Sequence, residues 1–444
     1  MSSLHDPQLE RLLKKDRLIL QHTALPVVTV AGTFQEDLKK WHSIKNSNVS
    51  KDIVFSRAHF SMAYGVVKSL WGKTPQPDKA WLVDPTNYVL QKNWQNIQFT
   101  EFVGKLLART PALKMVKDFI DTYGRKKLPI LDSITPPLLY LFENVNQPIL
   151  SFHIASGNIL AKLGKTVVQV ITDPHVRDEY IEAATSPTIF YCVFDERTKV
   201  DMLERASILG IEIDHERIVI TGPPVDPRII EMREMKTFRA HSPLRILITT
   251  GGLGTNKVEI QTILDQLLPQ LKKKEPKYEV MLYAGTQPDF VDMAKEVAKI
   301  HRVSVKVVES LNQPKTETNK LTVLYHPQIF DANELLMKYG FPWADGMISK
   351  PSGDMAYDAI IAGCFLLTLK PWGIWEERIS DIFEQKGMSR PAESEHIEKQ
   401  LDALIQEFDS KQSWVTTALQ NSKKIEPLYL HGVREILSAV KMFK

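Results

Sequence analysis

The sequence predicts an α/β fold in two domains, each a parallel sheet with helices on both faces. Three observations predict it. The length, 444 residues, is that of two domains of ordinary size. Short runs rich in β-branched residues alternate with longer stretches of helical spacing, which is typical of βαβ units. A segment with three prolines and a glycine, Gly222–Pro227, interrupts this alternation near the middle of the chain and predicts a linker.

The individual elements follow from the same periodicities. The runs that we predict as strands are Val27–Val30, Asp52–Ser56, Ala80–Val83, Val167–Thr172, Ile189–Val193, Arg217–Thr221, Arg245–Thr249, Glu279–Tyr283, Val303–Val308, Thr322–His326, Gly346–Ser349 and Phe365–Thr368. Helices are predicted at Lys257–Lys272, Pro288–Ile300, Ala332–Tyr339 and Asp354–Ala362. The predicted division is an N-terminal extension at 1–50, a first domain at 51–224, a second domain at 225–412 and a C-terminal helical segment at 413–444.

The composition is that of a globular protein in a reducing compartment. Hydrophobic residues make up 43% of the chain and charged residues 25%, and the net charge is only +3, which predicts no nucleic-acid partner. The two cysteines, Cys192 and Cys364, have no neighbours at metal-ligand spacing. The N-terminus lacks the apolar segment of a signal peptide, and the longest apolar run, Ala359–Leu369, is shorter than the roughly 20 residues of a membrane span. We therefore expect a cytoplasmic protein.

Two segments could contact an anionic membrane surface from the cytoplasm. Leu9–Leu20 reads as an amphipathic helix with basic residues between its leucines, and packing on the protein body is the favoured interpretation. Glu101–Lys127 combines seven basic residues with an interleaved apolar set. A solvated helical face would explain the second segment equally well, so the peripheral membrane contact is a hypothesis.

A glycine-rich turn follows the strand predicted at Arg245–Thr249. Gly251, Gly252 and Gly254, with Thr255, lead into the helix predicted at Lys257. Glycines let the backbone approach a phosphate closely, and a helix N-terminus offers free N–H groups and a partial positive charge. This predicts a diphosphate cradle, although a plain strand-to-helix turn would have the same pattern. Because no Lys-Ser/Thr pair follows, it is not a P-loop.

A second turn of this kind follows Gly346–Ser349. Ser352 and Gly353 could hold the other end of a diphosphate, and Asp358 could accept hydrogen bonds from ribose hydroxyls. The alternative is that Asp354 caps the helix and that Asp358 is a solvated charge. Two phosphate-type turns in one domain favour nucleotide binding.

Two further segments could contact the sugar and the acceptor. Trp375 offers a flat face to a sugar ring, and Glu376 and Glu377 could accept hydrogen bonds from its hydroxyls, unless they are only acidic residues in the first turn of a helix. His59 follows the strand predicted at Asp52–Ser56, and a neutral imidazole there could deprotonate an acceptor hydroxyl. A purely structural role for His59 is the alternative.

The motifs and their order resemble the GT-B glycosyltransferases that include monogalactosyldiacylglycerol synthase and the N-acetylglucosaminyltransferase of peptidoglycan lipid assembly (glycosyltransferase family 28). The resemblance spans about Asp52 to Gly387. It is carried by Ile53–Ser56 with His59, by Thr172-Asp173, by Gly222–Pro227, by Gly251–Gly254, and by Lys350–Gly353 with Asp358. The chain departs from the family at Arg57 and Ala58, where glycines are usual, and at Asp358, where glutamate is usual.

The resemblance implies two Rossmann-like, doubly wound domains that face a cleft, the GT-B fold. It implies a nucleoside-diphosphate sugar, usually UDP-based, bound mainly by the second domain, a lipid acceptor on the first, and no metal or cofactor. His59 would be the base. The implied donor-binding residues are Gly251, Gly252, Gly254, Thr255, Ser352, Gly353 and Asp354 near the diphosphate, Asp358 at the ribose, His326 and Ile329 at the nucleobase, and Glu376 and Glu377 at the sugar.

The function predicted on this basis is a metal-independent UDP-sugar-dependent hexosyltransferase that acts on a lipid or lipid-linked hydroxyl. Two alternatives stay open. A UDP-sugar 2-epimerase of the same fold would need no acceptor, and a non-catalytic relative would only bind a nucleotide sugar or a lipid.

Overall fold

The computed structural model describes residues 7–44, 51–89, 129–251, 253–312, 320–407 and 412–443. The chain forms two compact units. Unit 1 comprises Met1–Asp226 together with Leu428–Lys444, and unit 2 comprises Pro227–Pro427. The division at Asp226 lies within the linker predicted from the proline cluster.

Two domain predictions need correction. The segment 1–50, predicted as an extension, belongs to unit 1 because it supplies a strand that lies between two others in the sheet. The C-terminal segment 413–444 is divided, because its first helix belongs to unit 2 and residues from Leu428 onward belong to unit 1. Strand pairing of this kind joins residues far apart in the sequence, so local patterns do not reveal it.

The described residues form one parallel sheet in each unit. The order in unit 1 is β2-β1-β3-β4-β5-β6, and the order in unit 2 is β13-β12-β11-β7-β8-β10-β9. The strands are β1 Pro26–Val28, β2 Trp81–Val83, β3 Ile149–Ser151, β4 Val167–Val170, β5 Ile189–Val193, β6 Ile218–Ile220, β7 Leu244–Thr249, β8 Tyr278–Gly285, β9 Val305–Val308, β10 Leu321–Tyr325, β11 Gly346–Ser349, β12 Phe365–Thr368 and β13 Ser389–Pro391.

Helices connect these strands. In chain order they are α1 Pro7–His22, α2 Gln35–Trp41, α3 Arg57–Trp71, α4 Pro129–Phe142, α5 Ile154–Lys162, α6 Asp178–Glu182, α7 Glu196–Ile208, α8 Pro227–Glu234, α9 Lys257–Leu267, α10 Pro288–Ile300, α11 Ile329–Leu335, α12 Phe341–Trp343, α13 Met355–Ile361, α14 Ile374–Gln385, α15 Ile397–Ile405, α16 Trp414–Lys423, α17 Pro427–Leu430 and α18 Gly432–Met442. Shorter 3₁₀ or π turns lie at Pro85–Tyr88, His215–Arg217, Leu268–Lys272, Leu336–Gly340 and Ser394–His396.

Each sheet reverses its direction of growth once, which creates a topological switch point. In unit 1 the chain places β2 on one side of β1 and β3 on the other. In unit 2 it places β8, β10 and β9 on one side of β7 and then crosses to place β11 on the other. Doubly wound sheets bind ligands at the carboxyl ends of the strands beside such a point.

The predicted strand Asp52–Ser56 is not a strand of the sheet. Val54 makes only an isolated antiparallel bridge with Gly32. The N–H groups of Phe55 and Ser56 both donate to the carbonyl oxygen of Ala31, at 2.8 and 3.0 Å. The Ser56 hydroxyl then caps α3 by accepting from the His59 N–H at 3.3 Å. The segment is therefore a helix entry that lies against the loop after β1.

The amphipathic N-terminal helix packs on the body of unit 1. In α1 the buried residues are Leu9, Leu12, Asp16 and Leu20. The Asp16 carboxylate accepts hydrogen bonds from the indole N–H of Trp81 at 2.7 Å and from the hydroxyl of Tyr88 at 2.5 Å. A buried carboxylate with such partners fixes one face of the helix inward. The favoured interpretation, packing on the body, is confirmed.

The second basic segment, Glu101–Lys127, lies outside the described residues. Within the described ranges, every helix is too short or too polar to cross a bilayer.

The core of unit 2 lies between its sheet and the helices α9, α10, α15 and α16. Arg233 in α8 joins the ends of two other helices. Its guanidinium donates to the carbonyl oxygen of Ile361 at 3.2 Å, and to those of Ser422 and Lys423 at 2.8 and 2.6 Å. These carbonyls end α13 and α16, where the helix leaves them without internal partners.

Candidate active site

The two glycine-rich turns of unit 2 leave adjacent strands. β7 pairs with β11, and the Thr249 hydroxyl donates to the Ser349 hydroxyl at 2.7 Å where both strands end. The turns after β7 and β11 therefore start side by side at the topological switch point. The sequence predicts each turn separately, and the strand order supplies their proximity.

The turn after β7 is closed by a hydrogen bond from the Gly254 N–H to the Gly251 carbonyl oxygen at 2.8 Å. Gly254 and Asn256 have positive φ angles of 64° and 59°. The Asn256 side chain does not cap α9, because its amide donates to the Glu259 carboxylate instead. The first N–H groups of this 11-residue helix thus lack a side-chain cap and can bind an anion. Gly252 lies outside the described residues.

Thr255 adds an unsatisfied hydroxyl to this turn. The residue is 4% exposed, and its Oγ1 has no hydrogen-bond partner among the described residues. A buried hydroxyl without a protein partner costs free energy unless a water molecule or a ligand satisfies it. A Cβ placed on Gly251 would lie 3.3 Å from this oxygen.

Lys350 reaches the same point from the turn after β11. A Cβ on Gly251 would lie 2.9 Å from its Cε, so the lysine side chain crosses directly over this glycine. Its Nζ lies 2.5 Å from Oε1 of Glu376, which is 1% exposed. The other oxygen of Glu376 accepts from the Trp372 N–H at 2.8 Å. The ammonium also lies 5.8 Å from the centre of the Trp372 ring.

This arrangement changes the role predicted for Glu376. Both of its oxygens accept hydrogen bonds and its side chain is buried. Glu376 therefore holds Lys350 in place, whereas we expected it to contact a sugar hydroxyl. Glu377 is exposed in the first turn of α14. Trp375 is half-buried against Gly373 and lies edge-on to the ring of Trp372 at 6.1 Å, so one of its faces is partly covered.

The remaining residues of the second turn are largely buried. The Ser352 hydroxyl donates to Asp354 at 2.7 Å and accepts from the Met355 N–H at 3.3 Å. Ser352 therefore makes the capping bond that the alternative interpretation gave to Asp354. Asp358 is 6% exposed, so its interpretation as a solvated helix charge is wrong. Gly353 is buried between these residues.

The predicted nucleobase loop follows β10. His326 is half-buried, and its Nδ1 accepts a hydrogen bond from the Gln328 N–H at 3.2 Å. Nδ1 also lies 3.6 Å from the Asp331 carboxylate. Ile329 is buried and begins α11. This loop leaves the same edge of the sheet as the two turns, and β8 separates β10 from β7.

In unit 1, His59 reaches the switch point although the strand predicted before it does not exist. The hydrogen bonds to Ala31 bring the start of α3 to the carboxyl end of β1. A Cβ on Gly32 would lie 2.4 Å from the Ile53 carbonyl oxygen, so only glycine permits this approach. His153, which the sequence analysis missed, follows the adjacent strand β3. The two imidazole rings lie edge-on with centroids 5.6 Å apart.

Asp84 holds the loop after β1 in place. It is fully buried, and its carboxylate accepts from the N–H groups of Ala31 and Gly32 at 2.6 and 3.1 Å. It also accepts from the N–H and hydroxyl of Thr86 at 3.0 and 2.7 Å. Burial raises the pKa of Asp84 to about 6, and the four hydrogen bonds oppose this by favouring the charged form. The carboxylate is thus ionised at neutral pH.

Among the described residues, no three His, Cys, Asp or Glu side chains converge as a metal site would require. Metal independence stays a prediction.

A family described as a domain of unknown function (DUF6938) matches residues 216–360. No curated protein matches the sequence. The fold, by contrast, is similar to solved structures along nearly the whole chain.

Three of these structures are the following. A putative UDP-N-acetylglucosamine 2-epimerase of Listeria monocytogenes has 11% identity, a TM-score of 0.52 and coverage of 94% of this chain and 96% of that chain. UDP-GlcNAc 2-epimerase of Neisseria meningitidis, bound to UDP-GlcNAc, has 12% identity, a TM-score of 0.51 and coverage of 95% and 99%. MnaA of S. aureus, in a co-structure with UDP, has 10% identity, a TM-score of 0.50 and coverage of 94% and 96%. The predicted fold class, two Rossmann-like α/β domains of the GT-B type, is confirmed, whereas the narrower resemblance to glycosyltransferase family 28 stays a prediction.

Proposed function

We propose that the chain is an enzyme of UDP-sugar chemistry whose unit 2 binds the diphosphate at the turns after β7 and β11. The observation that carries this proposal is the convergence over Gly251 of the Lys350 side chain and the buried, unsatisfied Thr255 hydroxyl, beside the uncapped N-terminus of α9. A cation, a free hydroxyl donor and helix N–H groups together suit a phosphate oxygen.

The uridine of this proposal is supported by likeness. Two of the similar structures hold UDP-GlcNAc or UDP, which supports uridine. In this proposal Asp358 accepts hydrogen bonds from the ribose, and the loop with His326 and Ile329 contacts the nucleobase. Gly251, Gly252, Gly254, Ser352 and Gly353 let the backbone approach the diphosphate.

The proposed reaction is transfer of a hexose to an acceptor hydroxyl. His59 in unit 1 takes the hydroxyl proton, the oxygen attacks the anomeric carbon, and the bond from that carbon to the diphosphate oxygen breaks. Negative charge develops on the leaving diphosphate, where Lys350, the Thr255 hydroxyl and the N-terminus of α9 stabilise it. In this proposal the ammonium group and the N–H and O–H donors take the place that a metal ion has in other enzymes.

A 2-epimerase is the second candidate. Two of the similar structures support it: UDP-GlcNAc 2-epimerase of Neisseria meningitidis and a putative UDP-N-acetylglucosamine 2-epimerase of Listeria monocytogenes. The two reactions differ in their need for an acceptor. Incubation with UDP-GlcNAc alone, followed by NMR, would give the C2 epimer from an epimerase, whereas a transferase would leave the sugar configuration unchanged until an acceptor is added.

The acceptor that we propose is a lipid or lipid-linked hydroxyl, which would place the enzyme at the cytoplasmic face of a membrane. Co-sedimentation with vesicles that contain an anionic phospholipid tests this. We expect binding at 50 mM salt that weakens several-fold at 300 mM, since contacts between lysines and anionic lipid are screened. Absence of sedimentation at low salt would remove the electrostatic part of the proposal.

Donor binding is tested first by thermal unfolding with UDP and UDP-GlcNAc. A ligand that binds only the folded protein, at 100 times its dissociation constant, adds about 2.7 kcal/mol to the free energy of unfolding. We expect Thr255→Val to weaken UDP binding about tenfold, because a hydrogen bond to a charged group is lost. Without ligand the variant should unfold at the wild-type temperature or above, because the hydroxyl it removes has no partner.

The matched control is Thr262→Val in α9, the helix that follows this turn. Its hydroxyl donates to the Val258 carbonyl oxygen at 3.1 Å and lies in the second turn of α9, away from the glycine turn. UDP binding should be unchanged in this variant. A wild-type protein that neither UDP nor UDP-GlcNAc stabilises would contradict the proposed function, and the two glycine turns would then be structural.

A further inference from the structure

This inference rests on the proposed function. If unit 2 binds a diphosphate, the buried ion pair between Lys350 and Glu376 affects which ligand the site prefers. Glu376 is 1% exposed on its side chain and Lys350 is 16% exposed. A buried carboxylate is costly unless it is paired and hydrogen-bonded, and here Lys350 and the Trp372 N–H meet both needs. The pair brings a lysine to the phosphate turn while keeping the local net charge of the two side chains at zero.

Such a site can bind a UDP-sugar or free UDP. These two ligands differ in charge at the diphosphate, which lies next to the ion pair. In a UDP-sugar each phosphate is substituted at two oxygens and carries one negative charge. Free UDP ends in a terminal phosphate, whose second ionisation has a pKa of about 6, so UDP carries nearly one more negative charge at pH 7.5. Whichever phosphate Lys350 contacts, the other is separated from it by only one bridging oxygen.

We propose that Glu376 is a specificity-determining residue that makes the donor site prefer a UDP-sugar over free UDP. Its carboxylate lies 2.5 Å from the Lys350 ammonium, so it stands within a few ångströms of any phosphate bound by that ammonium. The carboxylate therefore repels free UDP more strongly than it repels the diphosphate of a UDP-sugar. In turnover, this lowers the affinity of the site for its own product and promotes product release.

The proposal predicts a change in the ratio of two affinities when Glu376 is replaced. We expect Glu376→Gln to tighten UDP binding about tenfold relative to UDP-GlcNAc binding, measured by calorimetry at pH 7.5 and low ionic strength. The competitive inhibition constant of UDP should fall with it. The control is Glu384→Gln, which removes the same charge from an exposed position of the same helix and should leave the ratio within twofold of wild type.

A second variant, Lys350→Met, tests the same proposal if Glu376→Gln does not fold. Lys350→Met leaves the Glu376 carboxylate uncompensated, so UDP should lose several times more affinity than UDP-GlcNAc. Equal changes for both ligands in a folded variant would overturn the role of Glu376 while leaving the proposed function intact. If wild-type protein binds neither ligand, the proposed function itself fails.

Discussion

Replacement of His59 by alanine is expected to lower the rate of sugar transfer by 10²- to 10⁴-fold, the range that a positioned general base contributes. The structure places His59 at the carboxyl end of β1 and beside His153, where a doubly wound sheet binds its ligands. UDP release from UDP-hexoses, in the presence of vesicles that contain diacylglycerol, would measure the rate. Donor binding should be unchanged, because the residues proposed for the diphosphate belong to unit 2.

The control for His59 is His215→Ala, a second histidine of unit 1. Its side chain is exposed, and its carbonyl oxygen, which accepts from Lys199, is retained in the variant. We expect the His215 variant to transfer sugar at the wild-type rate. If His59→Ala did the same while remaining folded, His59 would have no part in the chemistry, and its role would be to begin α3.

The glycine turns of unit 2 could be predicted from the sequence because their signals are local. A strand, a turn of small residues with at least one glycine, and a helix start follow one another within 20 residues, at Leu244–Thr249 and Lys257 and again at Gly346–Ser349 and Met355. The predicted bounds of α10, Pro288–Ile300, match the structure for the same reason, since the proline at its start and its apolar period lie in one segment.

The contacts that build the site could not be predicted, because they join distant residues. Nothing in the sequence brings Glu376 to Lys350, or Asp84 to Ala31, 53 residues away. Short strands were missed for a related reason. β3 has only three residues and β13 contains a proline, so neither gives a clear run of β-branched side chains, and His153 was missed together with β3.

The loop after β1 explains why His59 lies beside the sheet although the strand predicted before it is absent. The run Ile53–Ser56 is apolar and precedes a helix, which is the local signature of a strand. In the structure the backbone of this segment binds Ala31 and Thr33 of that loop, so it follows the end of a real strand. His59 therefore occupies the position predicted for it relative to the sheet.

Removal of the Asp84 carboxylate is expected to cost unit 1 about 3 to 5 kcal/mol of its free energy of unfolding, as the loss of one partner from a buried charged network does. In Asp84→Ala, the N–H groups of Ala31, Gly32 and Thr86 and the Thr86 hydroxyl all lose their acceptor in a region without solvent. Urea unfolding at pH 7.5 measures the loss. A separate transition for unit 2, if resolved, should keep its midpoint and its response to UDP.

The matched control is Asp178→Ala, which removes an aspartate that is 58% exposed and paired with Arg205 at 2.8 Å. An exposed pair contributes about 1 kcal/mol or less, so this variant should unfold close to wild type. If Asp84→Ala lowered the free energy of unfolding no more than Asp178→Ala does, the four hydrogen bonds of Asp84 would not stabilise the loop after β1. Because that loop binds the entry to α3, the Asp84 variant should also lose transfer activity with His59 still present, whereas the Asp178 variant should retain it.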